Sequence, residues 1–117
     1  MRDFAWRSGR ADVELPVEVA TENAAFTAAC KNIGAGGVFV ATEQVADAQL
    51  PQVGTRLALK LQLPQQDRPM SVRAEVRWTR SGDPTPADPR SPGMGLRFVD
   101  LPVAALIAIH ELLLAHE

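Results

Sequence analysis

Strict alternation of apolar and polar residues is the feature that most constrains the fold of this chain. Every second residue is leucine from Leu57 to Leu63, and every second residue is apolar from Val13 to Val19. A third segment repeats the pattern, with Val72, Ala74, Val76 and Trp78 on the face predicted to be buried. A period of two residues is typical of a β-strand with one face in the core. The chain is therefore predicted to consist mainly of half-buried strands.

Turn signals divide the sequence into six such segments, at residues 12–20, 26–31, 38–42, 57–63, 72–79 and 94–99. Between them, residues 43–54 form a connector predicted to hold a short helical turn. Residues 80–93 contain four prolines, which cannot donate to a sheet and indicate a long mobile loop. Because closure removes the exposed edges of a small sheet, we expect a six-stranded antiparallel β-barrel, all-β apart from a C-terminal helix.

Composition limits the function of the chain. Its 117 residues are 46% hydrophobic and 22% charged, as in one small globular domain. The net charge of -2 excludes the broad positive field of a protein that binds duplex nucleic acid. Cys30 is the only cysteine, and no apolar run reaches the roughly 20 residues of a membrane span. We expect a cytoplasmic protein with a flexible arm at residues 1–10 and a barrel domain at residues 11–117.

Catalytic chemistry finds no support in the sequence. A nucleophile needs a base and an orienting partner within reach. The chain offers one cysteine, two histidines near its C-terminus and no tyrosine, and its carboxylates are scattered over polar strand faces. Metal-ligand spacing of cysteine and histidine is also absent. We therefore expect a protein that is not an enzyme and that has neither a cofactor nor a metal site.

A glycine-dense turn lies between two strand-like segments at residues 31–40. Gly34, Gly36 and Gly37 permit positive φ and allow a ligand or a second backbone to approach closely, and Asn32 offers an amide beside them. A dinucleotide fingerprint would require a helix after the glycines, whereas a β-branched and aromatic segment follows here. The turn is thus a candidate binding site, and a tight hairpin without a ligand is the alternative.

The C-terminal segment, about residues 102–116, has the period of a helix. One face is predicted to carry Leu106, Ile109, His110 and Leu113, and His110 is expected to be packed or hydrogen-bonded and not a ligand. Further apolar residues lie on other faces, at Ile107, Leu112 and Leu114. A helix packed on one side of a barrel needs only one apolar stripe. The surplus indicates a second buried surface, either in a homo-oligomer or other protein contact, or in a deep groove of its own domain.

The sequence from about Arg7 to the C-terminus resembles the PilZ domain, the bacterial receptor family for cyclic di-GMP. The second motif of that family is an Asp or Asn, a Ser two residues later and a Gly three residues after that. Asn32 and Gly37 match this motif, and Gly34 stands in place of the Ser. The segment from Gly93 to Leu101 resembles the closing strand of the family's barrel.

The first motif of the family is a pair of arginines four residues apart, just before the first strand. Arg10 matches its second arginine, and Arg7 lies only three residues earlier, with Trp6 at the expected arginine position. An arginine can meet the O6 and N7 acceptors of a guanine edge, bind a phosphate or stack on a base. Trp6 offers a stacking face in place of the missing arginine, and solvated arginines with a packed Trp6 are the alternative.

The resemblance implies a noncatalytic signalling or adaptor domain with cyclic di-GMP as its ligand and a protein as its partner. The implied ligand-binding residues are Arg7, Arg10, Asn32, Gly34 and Gly37. Since Gly34 lacks the hydroxyl of the family's Ser, we expect weakened binding. The alternative is a ligand-independent protein interaction module that has lost cyclic di-GMP binding.

Overall fold

The computed structural model of the chain describes residues 9–43, 45, 50–80 and 92–116. These residues form six strands and a helix: β1 (Arg10–Ala20), β2 (Ala25–Gly34), β3 (Gly37–Ala41), β4 (Arg56–Leu61), β5 (Met70–Arg80), β6 (Gly93–Val99) and α1 (Val103–Ala115). The strands pair in the ring order β1-β2-β3-β6-β5-β4, and β4 pairs with β1 to close it. All neighbouring pairs are antiparallel. The prediction of a six-stranded antiparallel barrel with a C-terminal helix is confirmed.

The barrel core is built from the alternating residues of the strands. Leu57, Leu59, Leu61 and Leu63 are all buried, as are Val72, Ala74 and Val76. Buried residues of α1 belong to the same core cluster. Burial of each such side chain is worth about 1.5–3 kcal/mol relative to leaving it in water, so this interior is the main source of stability.

Strand β5 departs from the alternation at its end, and the prediction that Trp78 is buried is wrong. Val76 pairs with Leu96 and Trp78 pairs with Gly95, so β5 has one more residue than β6 at this point. Such a bulge puts two consecutive residues on the same side of a sheet. Arg77 and Trp78 are both exposed, and 44% of Trp78 is accessible to solvent. A period of two cannot anticipate this change of face, because the bulge depends on the pairing with β6.

The hairpin between β2 and β3 has only two residues outside its strands, Ala35 and Gly36. The prediction of two strands flanking the glycines is confirmed. The hairpin glycines do not use the positive φ that glycine permits, because the glycine with a left-handed backbone among the described residues is Gly54, with φ 94°. Gly34 and Gly37 instead allow close approach of other chain segments.

Helix α1 follows Pro102, whose carbonyl accepts a hydrogen bond from the Leu106 amide at 2.9 Å. The helix contacts β2 and β5, which lie on opposite sides of the ring. Its buried residues follow helical spacing: Ala105, Ala108, Ile109, Leu112 and Leu113. The predicted stripe is therefore correct at Ile109 and Leu113 and wrong at Leu106 and His110, which are exposed. Small alanines allow close packing on the barrel and shift the buried face toward them.

Four large aliphatic residues of α1 remain exposed, and we call them the helix stripe: Val103, Leu106, Ile107 and Leu114. Within the described ranges, no helix is both long and apolar enough to cross a membrane. The predicted arm lies largely outside the described residues, since β1 begins at Arg10. The helical turn predicted in the 43–54 connector and most of the 80–93 loop also lie outside the described residues.

Candidate functional site

Three of the residues implied by the motifs meet where β1 begins and the β2–β3 hairpin turns. The Arg10 Nε donates a hydrogen bond to Asn32 Oδ1, and Arg10 Nη2 donates to the Gly37 carbonyl at 3.4 Å. Asn32 Nδ2 in turn donates to Asp12 Oδ1 at 3.1 Å. We call Arg10, Asp12, Asn32 and Gly37 the Arg10 corner. The structure therefore brings Arg10, Asn32 and Gly37 together, 22 and 27 residues apart in sequence.

A second bulge points Asn32 away from the barrel interior. Cys30 pairs with Val40 and Asn32 with Phe39, so β2 has one more residue than β3 at Lys31. Cys30 and Ile33 are buried, while Lys31 and Asn32 between them are only half-buried. Because two consecutive residues share the outer side, the Asn32 amide reaches Arg10 and does not enter the core.

Gly34, at the end of β2, pairs with Arg10 at the start of β1. A Cβ at Gly34 would lie 2.5 Å from the Gly9 carbonyl oxygen and 3.2 Å from Arg10 Cγ. A Cβ at Gly37 would collide with the Leu96 carbonyl of β6. Glycine at these two positions thus permits one backbone to lie against another. In this barrel, the residue in place of the family's Ser has no room for a side chain.

Cys30 lies on the buried side of β2, behind the Arg10 corner. Its thiol donates a long hydrogen bond of 3.5 Å to the Asn32 carbonyl. Burial raises the pKa of the Cys30 thiol from 9.0 to about 11, against the smaller lowering effects of that contact and of the Arg10 charge. The thiol therefore stays protonated near neutral pH and cannot act there as a nucleophile.

Arg10, Asn32 and Gly37 of the Arg10 corner form one wall of a cavity of about 480 Å³ on the outer surface of the barrel. This volume is within the usual range for small-molecule sites. Its described lining includes four arginines and no acidic residue: Arg10, Arg77, Arg80 and Arg97. The other walls come from the β2–β3 hairpin and from β5 and β6. Such a cavity suits an anionic ligand with hydrogen-bond acceptors.

An aromatic pair lies in the same cavity, and we call Phe39, Trp78 and Arg80 the aromatic patch. The rings of Phe39 and Trp78 stack with centroids 5.5 Å apart and planes inclined by 20°. The Arg80 guanidinium carbon lies 5.2 Å from the Phe39 centroid and 5.5 Å from that of Trp78. Gly93 lies under Phe39 and Gly95 under Trp78, so close that a Cβ would strike either ring. The patch thus combines aromatic rings and a guanidinium, which are the groups on which nucleic-acid bases stack.

Glu75 holds two of the cavity's arginines. Arg97 Nη2 donates to Glu75 Oε1 at 3.0 Å, and Arg77 Nη1 lies 3.6 Å from the same oxygen. The hydrogen bond from Arg97 lowers the pKa of the Glu75 carboxyl below 4.5, and the charges of Arg97, Arg56 and Arg77 act in the same direction. Glu75 is thus ionised at neutral pH and offsets part of the positive charge on this wall.

The sequence motifs did not reveal the part of the site that β3, β5 and β6 contribute. The sequence predicts Phe39 only as a strand residue and Trp78 as a core residue, and neither motif includes Arg80 or Asp12. The signal available in the sequence was the presence of Arg77 and Arg80 beside Trp78. Arg7 and Trp6 lie outside the described residues, so their contribution stays a prediction. No three His, Cys, Asp or Glu side chains group to hold a metal within the described part of the chain.

Comparison with known proteins agrees with this fold. The family model of the PilZ domain matches residues 5–115, nearly the whole sequence. The chain belongs to the PilZ family. PilZ domains are noncatalytic and typically act as receptors or adaptors for cyclic di-GMP. A search of the curated proteins finds no significant match for this PilZ domain.

Solved structures include several similar barrels. The PilZ domain of YcgR from Escherichia coli, described with cyclic di-GMP, has a TM-score of 0.72 and 13% identity, covering 92% of this chain and 87% of that one. The Bacillus subtilis inhibitor of motility MotI has a TM-score of 0.70 and 24% identity, covering 91% of this chain and 48% of its own. The PilZ domain of CeSA, from a cellulose-synthesizing bacterium, has a TM-score of 0.59 and 18% identity, with coverage of 91% and 95%. The PilZ domain described here thus spans about half the length of MotI and shares the fold of all three.

Proposed function

We propose that this PilZ domain binds cyclic di-GMP on the outer surface of its barrel and acts as a noncatalytic signalling or adaptor module. The observation that carries the proposal is the single cavity shared by the Arg10 corner and the aromatic patch. Cyclic di-GMP has two phosphates and two guanines, so it needs cationic donors and planar surfaces close together. Arg10, Asn32 and Gly37 match the family's motifs and lie at that cavity.

The affinity is proposed to be weaker than that of a PilZ domain with intact motifs. Gly34 offers no hydroxyl, and a lost hydrogen bond to a charged group costs about 1–3 kcal/mol. That is about tenfold in affinity or more. Stacking on the aromatic patch acts in the opposite direction, at about 1–3 kcal/mol per base. We further propose that Arg7 and Trp6 contact the bound dinucleotide.

Isothermal titration calorimetry with cyclic di-GMP tests the ligand and the site together. Arg10→Ala removes the guanidinium that lies at the cavity and should abolish measurable binding. Arg73→Ala is the matched control, because Arg73 is an exposed arginine outside the cavity that pairs with Asp100 at 3.4 Å. It should bind as wild type does. Equal affinity in the two variants would refute the site.

The second candidate function is ligand-independent protein interaction, and the helix stripe is the observation that favours it. Wild-type protein that gives no heat at high cyclic di-GMP concentration would support this alternative. We propose that the stripe mediates contact with a protein, in the first instance a second copy of this chain. A cytoplasmic location remains the prediction made from the composition.

Light scattering tests the proposed self-association. Wild-type protein should have a mass above that of one chain, and Ile107→Asp should reduce it to a monomer by placing a charge in the stripe. Val53→Asp is the control, since Val53 is also exposed but lies outside the helix. A monomeric wild type at high concentration would contradict self-association through α1.

A further inference from the structure

Asp12 belongs to neither sequence motif, yet it contacts the motif residue Asn32. The two residues are paired across β1 and β2, and the Asn32 amide nitrogen donates to the Asp12 carboxylate at 3.1 Å. Asp12 is exposed, and its neighbour on the same side of β1, Glu14, pairs instead with Lys31 at 2.5 Å. Two adjacent outward acids therefore have different partners, and only Asp12 is connected to the Arg10 corner.

The chemistry of the three groups permits one orientation of the Asn32 amide. An ionised carboxylate only accepts hydrogen bonds, and a guanidinium only donates them. The NH2 end of the amide must therefore face Asp12 and its oxygen must face Arg10, as observed. Without Asp12 the amide would keep one of these two restraints. The Arg10 guanidinium would then be held by an Asn32 oxygen that is itself held less firmly in place.

We propose that Asp12 is a positioning residue of the cyclic di-GMP site. It orients Asn32, and Asn32 holds the Arg10 guanidinium at the cavity wall in the place where the ligand meets it. The inference rests on the proposed function, which it deepens by adding a residue outside both motifs. It assigns Asp12 no contact with the ligand, and Asp12 does not line the cavity.

The sign of the effect separates this role from that of an ordinary surface acid. A carboxylate near the site repels an anionic ligand, so removing its charge alone would tighten binding or leave it unchanged. Removing a positioning residue weakens binding, because the free energy needed to order Arg10 is then subtracted from the free energy of binding. Asp12→Ala thus has opposite expected outcomes under the two roles.

Calorimetry with cyclic di-GMP on three variants makes this test. Glu14→Ala removes one negative charge from the same side of β1, together with its ion pair to Lys31, and sets the effect of losing a surface acid there. Asp12→Ala should bind about fivefold to tenfold more weakly than Glu14→Ala, the loss expected for one hydrogen bond. Asp12→Asn keeps an oxygen that can accept from Asn32 and should restore affinity to within about twofold of wild type. Asp12→Ala that binds as well as Glu14→Ala, or better, would overturn the proposal.

NMR of the ligand-free protein tests whether Asp12 positions Arg10, and this test does not depend on cyclic di-GMP binding. The Arg10 Nε–H and the Asn32 side-chain amide signals should move in Asp12→Ala, return in Asp12→Asn and stay in place in Glu14→Ala. If wild-type protein fails to bind cyclic di-GMP, the proposed function falls, and these signals still decide whether Asp12 positions Arg10. Unchanged signals in Asp12→Ala would overturn that positioning.

Discussion

The two rings of the aromatic patch and the helix stripe are both apolar and at least partly accessible to solvent, yet their surroundings differ. Phe39 and Trp78 lie in a cavity with four arginines, one of which is Arg10 of the Arg10 corner. The helix stripe consists of four aliphatic side chains on one helix. Directional donors around a flat aromatic surface can select a ligand, whereas an aliphatic surface favours association without fixing its chemistry. Exposure alone therefore does not distinguish a ligand site from a protein contact.

The largest expected effect is a difference in the free energy of unfolding between substitutions on the two faces of α1. Ile109 is inaccessible to solvent and Ile107 is 54% exposed, so Ile→Ala at each position is a matched pair. Ile109→Ala should lower the free energy of unfolding by about 2–5 kcal/mol, because it leaves a cavity in the core. Ile107→Ala should change it by no more than about 0.5 kcal/mol. Urea denaturation at low protein concentration measures both, and comparable losses would show that the helix stripe is packed.

Trp78→Ala should separate stability from ligand binding at the aromatic patch. We expect cyclic di-GMP affinity to fall by about 1–3 kcal/mol, since one stacking surface is lost. The free energy of unfolding should fall by only about 1 kcal/mol, because the ring is half exposed and contributes mainly its pairing with Phe39. Calorimetry and thermal denaturation report the two quantities. A large loss of stability with unchanged affinity would make the patch a structural feature only.

Gly34→Ser tests whether the family's missing hydroxyl can be restored. The motif predicts tighter binding, but the Cβ would lie 2.5 Å from the Gly9 carbonyl oxygen. We expect a loss of stability of about 1–3 kcal/mol and no gain in cyclic di-GMP affinity. The control is Gly36→Ser, because no described atom lies within 4 Å of a Cβ there. Tighter binding by Gly34→Ser without loss of stability would show that β1 can move away from Gly34.

The smallest expected effect is the pH dependence of Glu75. Its pKa in the folded protein is below 4.5, so the unfolded state binds more protons as the pH falls toward that value. The contribution of Glu75 to stability is therefore present above pH 4.5 and is lost as the pH falls through the folded pKa. An NMR titration should give a Glu75 midpoint below 4.5, and Glu75→Gln should remove this part of the acid dependence. A midpoint at or above 4.5 would mean that Arg97 does not hold the carboxylate.

The strands were the most predictable part of the fold, and their irregularities were not predictable. Alternation identified the buried side of β4 and most of β5 because each residue's face depends only on its position within a regular strand. Trp78 was misplaced because a bulge opposite β6 changed that relation. For α1 the apolar residues exceeded what one face could bury, so spacing did not identify which of them contact the barrel.

The candidate site was predictable only where a motif describes it. Arg10, Asn32 and Gly37 follow from the resemblance, and the structure brings them together. Asp12, Phe39 and Arg80 join the site through strand pairing and through the packing of side chains on the outer surface. Neither relation leaves a periodic signal in the sequence, since each links residues on different strands.

The sequence by itself determined a small barrel with one apolar interior, because local periodicity and turn residues specify which side of each strand avoids water. Only the tertiary structure decided which outward residues share a cavity, because that depends on register between strands far apart in the chain. The bulges at Lys31 and Arg77 place Asn32 and Trp78 on the outer surface, where strict alternation would have turned each inward. One extra residue in a strand pairing thus decides whether the side chain that follows it lies in the core or at the site.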